Sequence, residues 1–96
     1  MKSVSFGSYL KQIREQKKIP QRKVAHRLDI DTSTLSKMEL GERQITVFMI
    51  EGLADALGLD YKELQIRFIS EKILNDFHNQ PFVKDALLET IKLVKE

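Results

Sequence analysis

Three consecutive hydroxyl-bearing residues, Thr32, Ser33 and Thr34, open a short amphipathic segment in the N-terminal half of this chain. Another amphipathic segment precedes it, and residues 29–31 separate the two. Two short helices that abut across three residues are typical of a helix-turn-helix. A hydroxyl can donate or accept a hydrogen bond, and a threonine methyl can contact the methyl group of thymine. We therefore expect these hydroxyls to face DNA bases.

The apolar residues of the two segments share one face. Six of them can point into a common core, namely Val24, Ala25, Leu28, Ile30, Leu35 and Met38. The hydroxyls that start the second segment then point away from that core. The alternative is an ordinary hydroxyl-rich helix start, because Ser and Thr often occupy helix N-termini for local hydrogen-bonding reasons.

The sequence contains no pattern typical of a catalytic or metal site. The chain has no cysteine, and His26 and His78 lie far apart without carboxylates at metal-ligand spacing. Its serines are accompanied by neither a nucleophile elbow nor a glycine-rich phosphate loop. We therefore expect no enzyme, no cofactor and no metal site. No signal peptide or membrane span is evident, so the expected compartment is the cytoplasm.

Positive charge is concentrated in the half of the chain that contains the helix pair. Residues 1–45 hold ten Lys and Arg against five Asp and Glu, whereas residues 46–96 hold six against nine. This asymmetry is typical of a protein with one face toward phosphates and another toward protein. Scattered surface lysines account for the charge equally well.

Helical periodicity dominates, and no alternating strand pattern is evident. The first helix is predicted from about Phe6 to Lys18, and Pro20 suits the first turn of the next. Asp31 is predicted to cap the helix that begins with the hydroxyls. Thr46 is predicted to cap a fourth helix, which Gly58 ends.

The C-terminal part predicts two more helices. Asp60 and Glu63 have capping-box spacing and start a long fifth helix, which residues 79–81 interrupt. A last helix is predicted from about Phe82. Its apolar stripe comprises Phe82, Val83, Ala86, Leu87, Ile91 and Val94. A lone terminal helix could not hide this stripe from water, so it must pack on something.

Several spaced features occur together in residues 5–68. They are Gln21 at the start of helix 2, the pair Val24 and Ala25, the segment TSTLSKME at 32–39, Gly41, and the segment LADALGL at 53–59. As a set they resemble the Cro/C1-type helix-turn-helix family, also called the XRE family. This family includes phage repressors, restriction-modification controller proteins and many antitoxins.

The resemblance assigns roles to DNA-facing residues. The positions that match the family's base readers are Thr32, Ser33, Thr34 and Lys37, with Ser36 a lesser candidate. Lys37 can donate to O6 or N7 of guanine. The positions that match phosphate contacts are Gln21, Arg22, Arg43 and Gln44. For Arg22 and Arg43 the alternative is a solvated cation or a surface salt bridge.

The resemblance also implies a structural ion pair between Arg14 on helix 1 and Glu39 at the end of the recognition helix. The chain departs from the family pattern at three positions. Lys18 and Pro20 stand where many relatives have a glycine and a Ser or Thr cap, and Asp29 stands where the turn often has glycine. Aspartate tolerates the left-handed conformation better than most residues. Gly52 is either a tolerated helix glycine or a close approach of a second helix.

The predicted fold is all-α: a compact five-helix lambda-repressor-like domain, residues 1–68, followed by a C-terminal helical extension, residues 69–96. At 96 residues, stability can depend on a second copy, so a homodimer is expected with the extension as its contact. The predicted dimer residues are Phe68, Ile69, Ile73, Phe77, Phe82, Leu87 and Ile91. The alternative is that these side chains pack within their own domain.

The expected function is sequence-specific binding of double-stranded DNA by a transcriptional regulator, as a homodimer on a pseudo-palindromic operator. The resemblance favours a repressor or a restriction-modification controller. The main alternative is an antitoxin that binds a toxin protein and autoregulates its operon. A protein-interaction module without DNA binding is a third alternative, against which the basic N-terminal half argues.

Overall fold

The computed structural model describes residues 5–95, and all regular structure in that part of the chain is helical. The α-helices are α1 (Phe6–Gln16), α2 (Gln21–Leu28), α3 (Thr32–Glu39), α4 (Ile50–Leu57), α5 (Tyr61–Phe77) and α6 (Val83–Leu93). A 3₁₀ turn, Val47–Met49, directly precedes α4. The predicted all-α class is confirmed. Residues 1–4 of the predicted domain 1–68 and residue 96 of the predicted extension lie outside the described residues.

Helix α4 lies at the centre of the core, and α2 and α5 pack against it. Its Ile50, Leu53 and Leu57 are at most 1% exposed. The core is completed by Leu10 of α1, Val24 and Ala25 of α2, Leu35 of α3, and Leu64 and Phe68 of α5. Of the six core positions predicted in the helix pair, four are buried, and Leu28 and Ile30 are half-buried against the core. The helix pair is therefore held by one shared apolar core, as its periodicity predicts.

Two left-handed residues end α1 and α2. Helix α1 ends at Gln16 and not at the predicted Lys18, because Lys18 has a φ of 57° and the chain turns there. Asp29 has the same φ, and the backbone N–H of Ile30 donates to the carbonyl of Ala25 across it. This geometry is the usual helix stop of the left-handed type, which glycine adopts with least strain. Both are positions where the family that the sequence resembles often has glycine.

Aspartates cap two helices as predicted. The Oδ1 atom of Asp31 accepts the N–H of Thr34 at 2.7 Å, and Oδ2 of Asp60 accepts the N–H of Glu63 at 3.1 Å. The expected cap at Thr46 is wrong. Thr46 precedes the 3₁₀ turn and its side chain makes no cap hydrogen bond. Helix α4 begins only at Ile50, so the turn itself leads the chain into the helix.

Close helix packing explains two glycines. A Cβ atom added at Gly7 would overlap the carbonyl oxygen of Met38, so α1 approaches the backbone of α3 directly. A Cβ atom at Gly52 would lie 2.8 Å from Cδ2 of Leu28 on α2. The sequence left two interpretations of Gly52 open, and the structure supports the close approach of a second helix.

The proposed boundary between residues 68 and 69 falls inside α5, so one continuous helix crosses it. Phe68 is only 8% exposed and packs edge-to-face on Phe6, with ring centroids 5.1 Å apart. Its own domain therefore covers Phe68, which removes it from the predicted dimer surface. Beyond Phe68, no described residue up to Lys95 is buried.

Candidate nucleic-acid interface

Helix α3 presents a polar face to solvent because its apolar residues are used by the core. Leu35 and Met38 are each 2% exposed. Thr32, Ser33 and Lys37 are exposed, whereas Thr34 and Ser36 are half-buried. At 100° per residue, Thr32, Ser33, Ser36 and Lys37 lie within one sector of roughly 140°. Hydroxyl donors and acceptors and one ammonium donor therefore share one side of the helix.

Asp31 fixes the start of this face. Hydrogen bonds from the side chain and the backbone N–H of Thr34 lower the pKa of Asp31, and the positive charges of Lys37 and Arg43 lower it further. The carboxylate thus stays ionised at neutral pH and satisfies an N–H at the helix start. The same bond restrains Thr34, whose backbone N–H is not available to DNA.

Arg14 and Glu39 form the predicted ion pair. The Nε atom of Arg14 donates to Oε2 of Glu39 at 2.8 Å, and Nη2 donates to Oε1 at 3.1 Å. A third donor, Nη1, reaches the carbonyl of Ile19 at 3.0 Å. Arg14 is 9% exposed and Glu39 4%. The hydrogen bond to Glu39 raises the pKa of Arg14, so the guanidinium keeps its charge in this buried setting.

Gln21 joins the same network. Its Nε2 atom donates to Oε1 of Glu39 at 3.0 Å, and the residue is half-buried. The network therefore ties α1, the start of α2 and the end of α3 to one carboxylate. Pro20, the residue before α2, supplies no side-chain cap, so the first amides of α2 are open to an external acceptor.

The candidates for phosphate contact lie before and after α3 along the chain. Arg22 is exposed in the first turn of α2, and Arg43 and Gln44 are exposed in the segment that follows α3. Among residues 5–95, no carboxylate lies within ion-pair distance of Arg22 or Arg43. Both guanidinium groups face water, where a phosphate can reach them.

Two supporting contacts were missed from the sequence. The Nζ atom of Lys17 donates to the carbonyls of Leu57 and Gly58, at 2.7 and 3.2 Å, and so binds the C-terminus of α4. Nε of Arg27 donates to Oδ2 of Asp55 at 2.7 Å, which joins α2 to α4. A cation at a helix C-terminus is a known stabilising arrangement. No local signal marks it here, because its partners are 40 and 41 residues away along the chain.

The histidines take no part in a cluster. His26 is exposed on α2, and the ring of His78 hydrogen-bonds to the carbonyl of Leu74. Within residues 5–95, no three His, Cys, Asp or Glu side chains are grouped as metal ligands. That part of the chain also has no helix with both the length and the apolar character to cross a membrane.

The sequence model of a family described as helix-turn-helix matches residues 10–64, which include the turn, α3 and all of the buried core except Phe68. The chain belongs to the Cro/C1-type helix-turn-helix family. Control protein C.MunI from Mycoplasma sp is 31% identical over 62 residues, which are 64% of this chain and 84% of that relative. No solved structure gave a significant match.

As a member of the Cro/C1-type family, the protein is a DNA-binding regulator. The matched residues end at Leu64, in the first half of α5. The rest of α5 and all of α6 lie outside them, so the family match covers the helix-turn-helix but not most of α5 or α6.

Proposed function

We propose that this protein is a sequence-specific transcriptional regulator of the repressor or controller type, which binds a pseudo-palindromic operator as a homodimer. The observation that carries the proposal is the exposed polar face of α3, which a buried ion pair holds against the core. A helix with exposed donors and acceptors, anchored from behind, is what major-groove reading requires.

Base reading is assigned to α3. Thr32 and Ser33 offer hydroxyls at the helix start, and Lys37 offers a charged donor about one turn later. Thr34 is half-buried, and both its N–H and its hydroxyl bind Asp31, so its methyl is the part left for base contact. Bidentate or charged contacts to guanine give the strongest discrimination in the major groove, which favours Lys37 as the main reader.

Phosphate contacts are assigned to the two segments beside α3. Arg22 and Arg43 supply cations, and Gln44 supplies an amide. Gln21 takes part through the open backbone amides at the start of α2 and the second hydrogen of its side-chain amide, because one hydrogen is donated to Glu39. These contacts position the protein without reading sequence.

Similarity to a control protein supports the controller interpretation. The antitoxin alternative is supported by a different observation, the exposed apolar side chains of α5 and α6, since a toxin partner would need such a surface. The neighbouring gene distinguishes the two alternatives. A restriction-modification gene beside this one would favour a controller, whereas a toxin gene would favour an antitoxin.

Selection of bound duplexes from fragmented genomic DNA by the purified protein tests the proposal. We expect enrichment of a two-fold symmetric motif whose half-sites lie about one helical turn apart. Enrichment of an asymmetric motif would contradict the symmetric homodimer. Recovery of fragments without a shared motif would contradict sequence-specific binding.

A further inference from the structure

The C-terminal hairpin, defined here as residues 69–95, is apolar and uncovered. Fourteen large apolar side chains are exposed among the described residues, and nine of them lie in this hairpin. They include Phe82 at 72% exposed and Ile91 at 71%. The Cα radius of gyration is 14.9 Å, whereas a compact chain of this length has about 12.5 Å. The hairpin thus extends from the core instead of folding over it.

Helix α6 has more apolar surface than its own chain can cover. Six of its eleven residues are apolar, yet none is buried. At 100° per residue its apolar arc spans roughly half of the circumference, wider than the stripe that one neighbouring helix covers. An eleven-residue helix without tertiary packing is marginal in water, so α6 needs a further partner to be stable.

An open groove lies between α5 and α6. It has a volume of about 450 Å³ and is lined mainly by apolar side chains, among them Ile73, Phe77, Phe82, Val83 and Leu87. Thr90 also lines it, but its hydroxyl donates to the carbonyl of Ala86 at 2.7 Å. This hydroxyl donor is already satisfied, so an apolar occupant would not strip it of its hydrogen bond.

Charge allows a second copy of the same hairpin as the occupant and argues against a nucleic acid. Residues 69–95 carry four Lys and four Asp or Glu, a balance of zero. Lys72 pairs with Asp76, and Lys92 pairs with Glu89, within their own helices. Two such hairpins meet without net repulsion, whereas a phosphate backbone would find no net attraction.

We propose that α6 of a second copy packs into the groove between α5 and α6, while its own groove receives α6 of the first copy. Such an exchange is self-complementary and closes with two-fold symmetry. A hairpin of this length matches the roughly 20–30 residues that each partner contributes to a stable interface. The inference rests on the proposed homodimer and identifies the surface that makes it.

Light scattering of the full chain tests the proposal, with Ile91→Glu as the variant and Ser70→Glu, which adds the same charge on α5, as its control. Both side chains are exposed, so neither change removes a core contact. We expect twice 11.2 kDa for the unchanged protein and for Ser70→Glu, and a mass near 11.2 kDa for Ile91→Glu. A dimeric Ile91→Glu variant or a monomeric unchanged protein would overturn the inference.

A second measurement does not depend on a variant. In a mixture of isotope-labelled and unlabelled chains, filtered NOE spectra should show contacts from the Ile91 methyls of one copy to Phe77 or Phe82 of the other. A dimer without these contacts would overturn the exchange. Binding of Ile91→Glu to an operator half-site then reports on the proposed function separately, because α3 is unchanged in that variant.

Discussion

At the scale of single residues, Lys37 and Arg43 can be compared to test the proposed difference between base contacts and phosphate contacts. Both are exposed cations, but Lys37 extends from the polar face of α3, whereas Arg43 lies in the segment beyond that helix. A donor to a base edge discriminates between sequences, and a donor to phosphate does not. Replacing each residue with alanine should therefore change DNA affinity in a different way.

We expect Lys37→Ala to weaken operator binding by about 1–3 kcal/mol and to leave binding to random-sequence duplex nearly unchanged. Fluorescence anisotropy with both duplexes at one salt concentration measures this. Lys62→Ala, which removes an exposed lysine from the first turn of α5, is the control for general loss of charge. Equal losses on both duplexes would instead assign Lys37 to the phosphate contacts.

Arg43→Ala should weaken binding to both duplexes alike and reduce the slope of log K against log salt by about one unit. The physical reason is the release of about one fewer counterion when one phosphate contact is lost. Titrations at several salt concentrations give the slope. An unchanged slope would remove Arg43 from the DNA-binding surface.

At the scale of elements, the orientation of α3 depends on one buried carboxylate. Glu39 receives two hydrogen bonds from Arg14 and one from Gln21, so it links three helices where α3 ends. A buried ion pair need not increase stability relative to apolar residues, but a lone buried charge is costly. Removing one member of the pair should therefore lower the stability of the fold more than removing both.

Arg14→Met should destabilise the fold by about 3–5 kcal/mol, because it leaves Glu39 buried without its main partner. Urea unfolding followed by circular dichroism measures the free energy. The double variant Arg14→Met with Glu39→Met removes both charges and should recover much of the loss. A double variant less stable than Arg14→Met would contradict this explanation.

The cap at the start of α3 should make stability depend on pH. The pKa of Asp31 is lower in the folded protein than in the unfolded chain, so its ionised form favours folding. This contribution is complete above the unfolded pKa, about 3.9, and is lost as pH falls through the lower folded value. Asp31→Asn keeps a capping oxygen but has no charge to lose.

We therefore expect Asp31→Asn to be less stable than the unchanged protein at neutral pH, with the difference shrinking in acid. Urea unfolding at a series of pH values measures it. Asp31→Ala, which lacks the capping oxygen, should be the least stable of the three throughout. A difference between Asp31→Asn and the unchanged protein that stays constant with pH would show that the charge of Asp31 does not matter.

At the scale of the whole molecule, the proposed homodimer predicts the geometry of the operator. In that dimer, two copies of α3 enter successive major grooves on one face of the duplex, about 34 Å apart. Insertion of about five base pairs between the half-sites would turn one of them to the opposite face of the duplex. We expect this insertion to reduce the affinity of the dimer to that of a single half-site, as gel shifts can measure. Full affinity for the altered site would contradict a rigid dimer.

The order of residues alone is enough to predict the six helices and most of their caps, although the cap expected at Thr46 is wrong. Asp31, Asp60 and Gly58 act within four residues of their own positions, and the apolar periodicity places Val24, Leu35 and Leu53 on buried faces. The resemblance added Arg14 with Glu39, which no local pattern indicates. Local hydrogen bonding and periodicity act along the chain, so the sequence shows them directly.

The folded molecule was needed to show which distant groups meet and which faces stay uncovered. It placed Gln21 on Glu39 and Lys17 on the end of α4, buried Phe68 in its own core, and left Ile91 in water. A donor can bind any acceptor that the fold brings near, and an apolar side chain looks the same in sequence whether its own core or a second copy covers it. Those choices depend on three-dimensional packing, which the order of residues does not display.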